Sequence, residues 1–300
     1  MRTAILGCVL VAACAAAGVA SAASYRVTLE APGQPAIGLH VEEVGAGPPL
    51  VLIHGLGAST FTWRHVVPAL AKRHRVIAID LPGFGRSDKP RDQAYSAASQ
   101  AALVAAFLRK ADLRSVTLIG HSFGGTVALL TALELNGDQS RIARLVVIDA
   151  PALKQDFGDT AELLRTPGLP YAAVAVAPPE IVARLLLRYV SASGRNVPEA
   201  DIRGYAAPFY DAGARHAFIA TAQAILDANV STMGARYRDI RQPTLLVWCR
   251  RDRIVPLATG RKLARRLPNA RLEILKACNH LPQDEVPLTL LGKLEAFLQR

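Results

Sequence analysis

A candidate nucleophile lies in the segment Gly120-His121-Ser122-Phe123-Gly124, which has the pattern G-x-S-x-G. The segment follows an apolar run at 116–120 that predicts a buried strand, and it opens a stretch at 123–136 that predicts a helix. A sharp strand-to-helix turn needs flanking residues without side-chain bulk, and the outer glycines meet that need. Such a turn presents the serine hydroxyl at the edge of a sheet, where a helix N terminus directs N–H groups toward a bound oxygen. We therefore predict that Ser122 is a nucleophile.

A serine hydroxyl is a weak nucleophile at neutral pH unless a base removes its proton. Among the seven histidines, His280 follows the last predicted strand, in a loop at the same sheet edge as Ser122. Asp252 follows the preceding strand, and a carboxylate there can accept the imidazole N–H and stabilise the imidazolium. Asp149 also ends a strand at this edge and is the alternative acid. We predict Ser122 as nucleophile, His280 as base and Asp252 as acid.

Hydrolysis through such a group also needs two N–H donors placed where negative charge develops on the substrate oxygen. The backbone N–H of Phe123, directly after the serine, is the first candidate. The second is the N–H of Leu56, in the loop His54-Gly55-Leu56-Gly57 that follows another apolar run. Glycines on both sides of Leu56 allow the backbone to approach a substrate closely.

The elements that must position these residues can be predicted from hydrophobic periodicity. Short β-branched runs alternate with longer stretches of helical periodicity. Predicted strands include residues 37–44, 50–54, 75–80, 116–120, 144–149, 244–248 and 271–275. Predicted helices include residues 63–72, 96–111, 123–136, 258–266 and 287–298. This alternation predicts an α/β fold, with a mostly parallel central sheet and helices on both of its faces.

The alternation stops between residues 151 and 242, where helical periodicity at 181–190 and 216–226 continues without a strand pattern. We interpret residues 151–242 as a helical lid inserted after the sixth strand. Residues 23–150 and 243–300 then form one core. A chain of 300 residues is long enough for one large core with an insertion.

The N-terminal residues have the pattern of an export signal. Arg2 precedes an apolar stretch at 3–20 that ends in Ala20-Ser21-Ala22, which predicts a signal peptide over residues 1–22 and a periplasmic or secreted protein. A second interpretation rests on Val11-Ala12-Ala13-Cys14, which resembles a bacterial lipobox; a lipid on Cys14 would tether the protein to a membrane. An uncleaved anchor is a third, disfavoured because the stretch is weakly hydrophobic.

The composition is that of an ordinary globular protein, with 51% hydrophobic and 20% charged residues. The net charge of +11 is spread along the chain, without a dense basic run or a zinc-finger spacing. Nucleic acid is therefore not an expected partner. We expect a small molecule instead.

Several segments resemble the successive motifs of the α/β-hydrolase family and occur in the family's order within residues 50–285. These are His54-Gly55-Leu56-Gly57, Asp80-Leu81-Pro82-Gly83-Phe84-Gly85-Arg86-Ser87, Gly120–Gly125, Asp252-Arg253-Ile254-Val255-Pro256 and Asn279-His280-Leu281-Pro282. The resemblance implies a Ser-His-Asp site under a helical cap, with no metal and no organic cofactor. Haloalkane dehalogenases and epoxide hydrolases of the family carry aspartate at the nucleophile position, and Ser122 argues against both.

The chain departs from the family pattern at two positions, because relatives often have glycine where it has Cys249 and Asn279. Asparagine tolerates a positive φ better than most residues, so the second departure is mild.

Cys249 and Cys278 each end one of the last two predicted strands, and neighbouring strands lie about 5 Å apart. In an oxidising compartment we predict a disulfide between them; two buried free thiols are the alternative.

These observations predict an exported serine hydrolase, and first a carboxylesterase that cleaves small to medium esters through an acyl-enzyme on Ser122. The alternative enzyme is a carbon–carbon bond hydrolase that acts on a ring-cleavage product with the same residues. Relatives of that kind often have asparagine where this chain has His121. A third hypothesis is a non-catalytic, ligand-binding member of the fold.

Overall fold

The computed structural model describes residues 22–30, 36–91, 95–138, 140–154, 166, 168–192, 197–227 and 230–299. Except for Ala22, the predicted signal peptide lies outside the described residues, and so does Cys14.

The centre of the molecule is an eight-stranded sheet. Its strands are β1 (Ala23–Leu29), β2 (Ile37–Val44), β3 (Pro49–Ile53), β4 (Arg75–Asp80), β5 (Val116–His121), β6 (Ile142–Ile148), β7 (Thr244–Cys249) and β8 (Ala270–Leu275). They are arranged in the order β1-β2-β4-β3-β5-β6-β7-β8. The pairs β1–β2 and β2–β4 are antiparallel and every other pair is parallel, which confirms the predicted fold class.

Helices cover both faces of this sheet. They are α1 (Val67–Leu70), α2 (Ala97–Lys110), α3 (Phe123–Glu134), α4 (Leu169–Val176), α5 (Pro179–Val190), α6 (Glu199–Ala206), α7 (Ala212–Asp227), α8 (Val230–Arg236), α9 (Leu257–Ala264), α10 (Pro282–Glu285) and α11 (Pro287–Leu298). Successive side chains of β3 belong to different buried clusters. Val51 and Ile53 are in the cluster that also contains residues of α2, α3 and α9, whereas Leu50 and Leu52 are in the cluster that contains residues of α1 and α11. Burial on both faces explains why this strand is apolar throughout.

One predicted helix differs from the structure, and one strand, β1, was not predicted. The predicted helix over 63–72 is instead a 3₁₀-helix, Thr60–Trp63, followed by the short α1, with Pro68 in its first turn. Proline cannot donate the hydrogen bond that a longer helix would require, so the helix begins there. Strand β1 lacked a clear pattern, because most of its residues are exposed at the edge of the sheet and Leu29 is buried at its end.

The residues predicted to form the lid lie between β6 and β7. Their described part contains α4 to α8 and two 3₁₀-helices, Ala207–Tyr210 and Tyr237–Asp239. We call residues 151–242 the helical segment. In the part of the chain that the structure describes, no helix has both the length and the apolar character needed to cross a membrane.

The helical segment is joined to the core by a partly buried polar network. Arg64 forms ion pairs of 2.6 Å with Asp201 of α6 and with Asp284 of α10. The Tyr205 hydroxyl donates to Asp284 at 2.5 Å and is bonded to Thr62 at 2.7 Å. These ion pairs and hydrogen bonds connect α6 to the 3₁₀-helix Thr60–Trp63 and to α10, which directly follows the loop that carries His280.

Candidate active site

Ser122 lies at a tight turn between β5 and α3. Its backbone has φ 52° and ψ −124°, a conformation rare for residues other than glycine. A Cβ atom at Gly120 would lie 2.2 Å from the carbonyl oxygen of Gly124, and one at Gly124 would lie 2.3 Å from that of His54. Both glycines are therefore required by close backbone contacts. The turn holds the serine side chain at the carboxyl end of the parallel strands.

The structure brings Ser122, His280 and Asp252 together in one hydrogen-bonded series. His280 Nε2 lies 2.9 Å from Ser122 Oγ, and His280 Nδ1 lies 2.8 Å from Asp252 Oδ2. Asp252 Oδ1 accepts the backbone N–H groups of Ile254 and Val255 at 2.7 and 2.8 Å. The aspartate is thus oriented by its own loop. Its bond to Nδ1–H leaves the Nε2 lone pair directed at the serine hydroxyl.

The alternative acid, Asp149, occupies a different position. Its Oδ1 accepts the backbone N–H of Cys249 at 2.9 Å, and it is fully buried. Burial raises the pKa of Asp149 well above its usual value, and the neighbouring Asp252 carboxylate raises it further. The raised pKa favours the protonated form of Asp149, whereas Asp252 makes the contact with His280.

The two predicted oxyanion donors belong to segments that adjoin Ser122: Phe123 follows it, and a Cβ atom at Gly55, next to Leu56, would lie 3.1 Å from the Cβ of Ser122. Leu56 and Ser122 line the same pocket, and the Leu56 N–H donates no hydrogen bond to any described residue. Phe123 is the first residue of α3, a position whose N–H has no acceptor within the helix. Both N–H groups can therefore bind an oxygen of a ligand at Ser122.

Two histidines that were not assigned a role support this arrangement. His54 Nδ1–H donates to the carbonyl oxygen of Gly55 at 2.8 Å, and its Nε2 accepts the Leu81 N–H at 2.9 Å. Burial lowers the pKa of His54, so the ring is neutral and holds the loop that carries Leu56. In the sequence, only the position of His54 between a buried strand and a glycine could have indicated this supporting role.

The second is His121, directly before the nucleophile. Its Nε2–H donates to the carbonyl oxygen of His280 at 2.7 Å. Burial, with a smaller effect from His280, lowers the pKa of His121 to about 3. The neutral ring therefore supports the backbone of His280, a contact that cannot be read from residues 159 positions apart.

A disulfide joins Cys249 to Cys278, with their Cα atoms 5.3 Å apart. Cys249 is the last residue of β7 and precedes the Asp252 loop, and Cys278 precedes His280 by two residues. The bond therefore ties together the two loops that carry the acid and the base.

A pocket of about 360 Å³ opens onto Ser122 and His280. Its walls include side chains of α5, α6 and α7 from the helical segment. The apolar side chains among its described lining are Leu56, Ala58, Pro151, Ala183, Leu186, Leu187, Val190, Phe209, Phe218, Ala222, Ile225, Leu226, Ile254 and Leu281. No described lining residue is Lys, Arg, Asp or Glu. The nucleophile is thus at the base of a predominantly apolar cavity.

The family model described as alpha/beta hydrolase fold matches residues 48–287, a range that includes Ser122, Asp252 and His280. The chain belongs to the α/β-hydrolase family. As a member of this family it is a hydrolase, and a small-molecule substrate is consistent with that membership. In the described residues, no group of three or more His, Cys, Asp or Glu side chains could hold a metal ion.

Within the α/β-hydrolase family, similar proteins include enzymes of two kinds. A 2-hydroxy-6-oxo-2,4-heptadienoate hydrolase from Pseudomonas putida is 33% identical over 266 residues, covering 86% of this chain and 92% of that protein. A 2-hydroxymuconate semialdehyde hydrolase from Pseudomonas sp. is 30% identical over 256 residues, covering 82% and 85%. Among solved structures, a thermophilic esterase from Thermogutta terrifontis has a TM-score of 0.77 at 25% identity, covering 92% of this chain and 98% of that one.

Proposed function

We propose that this α/β hydrolase is a carboxylesterase that cleaves small to medium esters through an acyl-enzyme on Ser122. The observation that carries the proposal is the apolar pocket that opens onto the nucleophile. An apolar acyl chain would displace water from these walls without leaving a charged group desolvated.

The geometry supports each step of ester hydrolysis. Ser122 Oγ attacks the acyl carbonyl carbon while His280 Nε2 accepts the hydroxyl proton over 2.9 Å. The N–H groups of Leu56 and Phe123 bind the resulting oxyanion, and Asp252 stabilises the imidazolium. As the tetrahedral intermediate collapses, the bond to the alkoxide oxygen breaks, His280 gives its proton to that oxygen, and the alcohol departs while the acyl group stays on the serine. A water molecule deprotonated by His280 attacks this ester, and the carboxylic acid leaves as Ser122 regains its proton.

The second candidate is a carbon–carbon bond hydrolase, and the 33% identity to the Pseudomonas putida enzyme favours it. The name of that enzyme, a heptadienoate hydrolase, describes a substrate with a carboxylate. A buried carboxylate needs a cation or several hydrogen-bond donors, because desolvation without them is costly. No described lining residue is Lys or Arg, and His121 is neutral. The pocket therefore favours the ester.

A panel of p-nitrophenyl esters, from acetate to decanoate, tests the proposal against Ser122→Ala. The matched control is Ser24→Ala, at an exposed serine on β1. We expect wild type and the control to hydrolyse the short and medium esters, and Ser122→Ala to stay at the background rate.

The same proteins are then given a 2-hydroxy-6-oxo-dienoate, whose loss is followed by absorbance. Faster Ser122-dependent turnover of the dienoate than of any ester would establish the second candidate instead. If neither substrate is consumed, the non-catalytic hypothesis is the one to pursue.

We also propose that the enzyme acts outside the cytoplasm. The basic residue, the apolar stretch and the small residues at 20–22 support export, and a disulfide persists in an oxidising compartment. Cleavage after Ala22 would leave a chain that begins with β1 at Ala23. A lipid on Cys14 is the alternative, with the enzyme held at a membrane surface.

A further inference from the structure

Asn279 lies directly before His280, and its backbone conformation does not explain why an asparagine occupies this position. The described residues other than glycine with positive φ are Asp112, Ser115, Ser122 and Asp149. Asn279 is not among them, so neither asparagine nor glycine is required by its conformation. Its side chain is nevertheless 2% exposed, which costs free energy unless its polar atoms are hydrogen-bonded. The reason for the asparagine must lie in its contacts.

Both ends of the Asn279 amide are bonded to other parts of the site. Oδ1 accepts the backbone N–H of Arg253 at 2.9 Å, next to Asp252. Nδ2 donates to the carbonyl oxygen of Tyr189 at 3.1 Å, near the end of α5. One side chain therefore connects the loop of the base to the loop of the acid and to a helix that lines the pocket.

The backbone around Asn279 is held at the same place. Its N–H donates to the Glu285 carboxylate at 3.1 and 3.2 Å, and the His280 N–H donates to the carbonyl oxygen of Val190 at 2.9 Å. Glu285 also accepts the Ala192 N–H at 2.6 Å. The residues at the end of α5 and the loop of the base thus form one hydrogen-bonded unit, and the Asn279 side chain extends that unit to Asp252.

We propose that Asn279 is a positioning residue for the hydrolysis proposed above, holding His280 in register with Asp252 and with the pocket wall formed by α5. A displacement of about 1 Å between reacting groups can reduce a rate by about 100-fold. Because a base acts in the transition state, its misplacement lowers kcat and leaves substrate binding largely unchanged.

Two substitutions separate the contacts. Asn279→Gly, the residue that relatives often have, removes both side-chain bonds but keeps the backbone N–H for Glu285. Asn279→Asp keeps an acceptor for the Arg253 N–H and loses the donor to Tyr189. Asn269→Gly is the matched control, since it removes an exposed asparagine whose Nδ2 donates to the carbonyl oxygen of Arg241.

The first measurement is the rate constant for labelling of Ser122 by a fluorophosphonate, followed by intact mass and corrected for the folded fraction by circular dichroism. The second is kcat and KM on p-nitrophenyl butyrate. We expect Asn279→Gly to lose about 10- to 100-fold in labelling rate and in kcat, with KM within about twofold. Asn279→Asp should recover several-fold of the loss, and Asn269→Gly should match wild type.

If Asn279 had a purely structural role, Asn279→Gly would have a lower melting temperature, but the folded part of the sample would still be labelled at the wild-type rate. That result would overturn the proposal. Labelling does not require the enzyme's own substrate. If wild type is labelled at Ser122 but hydrolyses no ester, the esterase proposal fails and the effect of Asn279 is still measured. If wild type is not labelled, both proposals fail.

Discussion

At the scale of single residues, two aspartates close to each other have different hydrogen-bond partners. Asp252 accepts two backbone N–H groups and the His280 Nδ1–H. Asp149 accepts one N–H group, and burial and the Asp252 charge raise its pKa. Environment therefore assigns the roles between two residues of the same type, which sequence position left open.

Substitution of each aspartate by asparagine tests this assignment. Asp252→Asn should lower kcat about 10³- to 10⁴-fold, because the amide cannot stabilise the imidazolium and favours the wrong tautomer of His280. Asp149→Asn should leave kcat nearly unchanged, since the raised pKa of Asp149 favours a protonated carboxyl, and the neutral amide has a similar shape. Both are measured with a p-nitrophenyl ester. A large loss of kcat in Asp149→Asn would contradict the assignment.

The raised pKa of Asp149 also predicts how stability depends on pH. In the unfolded chain an aspartic acid ionises at about pH 3.9, whereas in the folded protein Asp149 keeps its proton to a much higher pH. The unfolded state alone is therefore stabilised by ionisation as pH rises above about 4, and the folded protein loses stability over that range.

Thermal unfolding between pH 4 and pH 8 measures this effect. Asp149→Asn cannot ionise, so its melting temperature should rise relative to wild type as the pH increases. Asp239→Asn, at an aspartate less buried than Asp149, is the control and should track wild type. A constant difference between Asp149→Asn and wild type would show that Asp149 is ionised in the folded protein.

At the scale of elements, the site depends on the ends of β7 and β8. These neighbouring parallel strands deliver Asp252 and His280 to the same edge, and the disulfide joins the chain beside both. The α5 end adds the hydrogen bonds to Asn279 and His280. The proximity of the Asp252 and His280 loops was predictable because they follow neighbouring parallel strands. The hydrogen bonds from the end of α5 were not predictable, because they depend on how the helical segment packs.

Reduction of the disulfide should destabilise the protein. Cys249 and Cys278 are 29 residues apart, and a crosslink that closes a loop of this length contributes about 3 to 4 kcal/mol through the unfolded state. Urea unfolding of wild type with and without reductant measures the difference. The double variant Cys249→Ala/Cys278→Ala should unfold at the same midpoint in both conditions.

Intact mass provides an independent check of the same bond. Protein from an oxidising compartment should be two hydrogen atoms lighter than the reduced form, and its cysteines should resist alkylation until reductant is added. Two alkylatable cysteines in the mature, unreduced protein would rule out the disulfide.

At the scale of the whole molecule, one sheet with helices on both faces supports the site, and we propose that the predicted leader directs the protein out of the cytoplasm. The net charge of +11 is compatible with several surroundings and does not select one. The proposal of export rests on the predicted leader and on the disulfide, which persists in an oxidising compartment.

Expression of the full chain in a Gram-negative bacterium tests export. We expect the periplasmic protein to begin at Ala23, and the substitution Cys14→Ser to leave this result unchanged. Fractionation shows the compartment, N-terminal sequencing identifies the first residue, and globomycin treatment tests for the lipid on Cys14. Recovery with the membranes that is lost in Cys14→Ser would establish the lipid-modified form, and an intact N terminus in the cytoplasm would contradict export altogether.

The sequence by itself determined the features that depend on local chemistry. The apolar runs predicted the strands buried on both faces, and the glycines around Ser122 predicted the turn that holds it. Such patterns are readable because alternation, periodicity and turn geometry act over a few neighbouring residues.

The tertiary structure alone decided the contacts between distant segments. It showed that Asp252 and not Asp149 meets His280, that the rings of His54 and His121 are neutral supports, and that Asn279 reaches both Arg253 and Tyr189. It also showed that residues of both the core and the helical segment line the apolar pocket. These features depend on strand order and on the packing of helices far apart in the chain, which local periodicity does not encode.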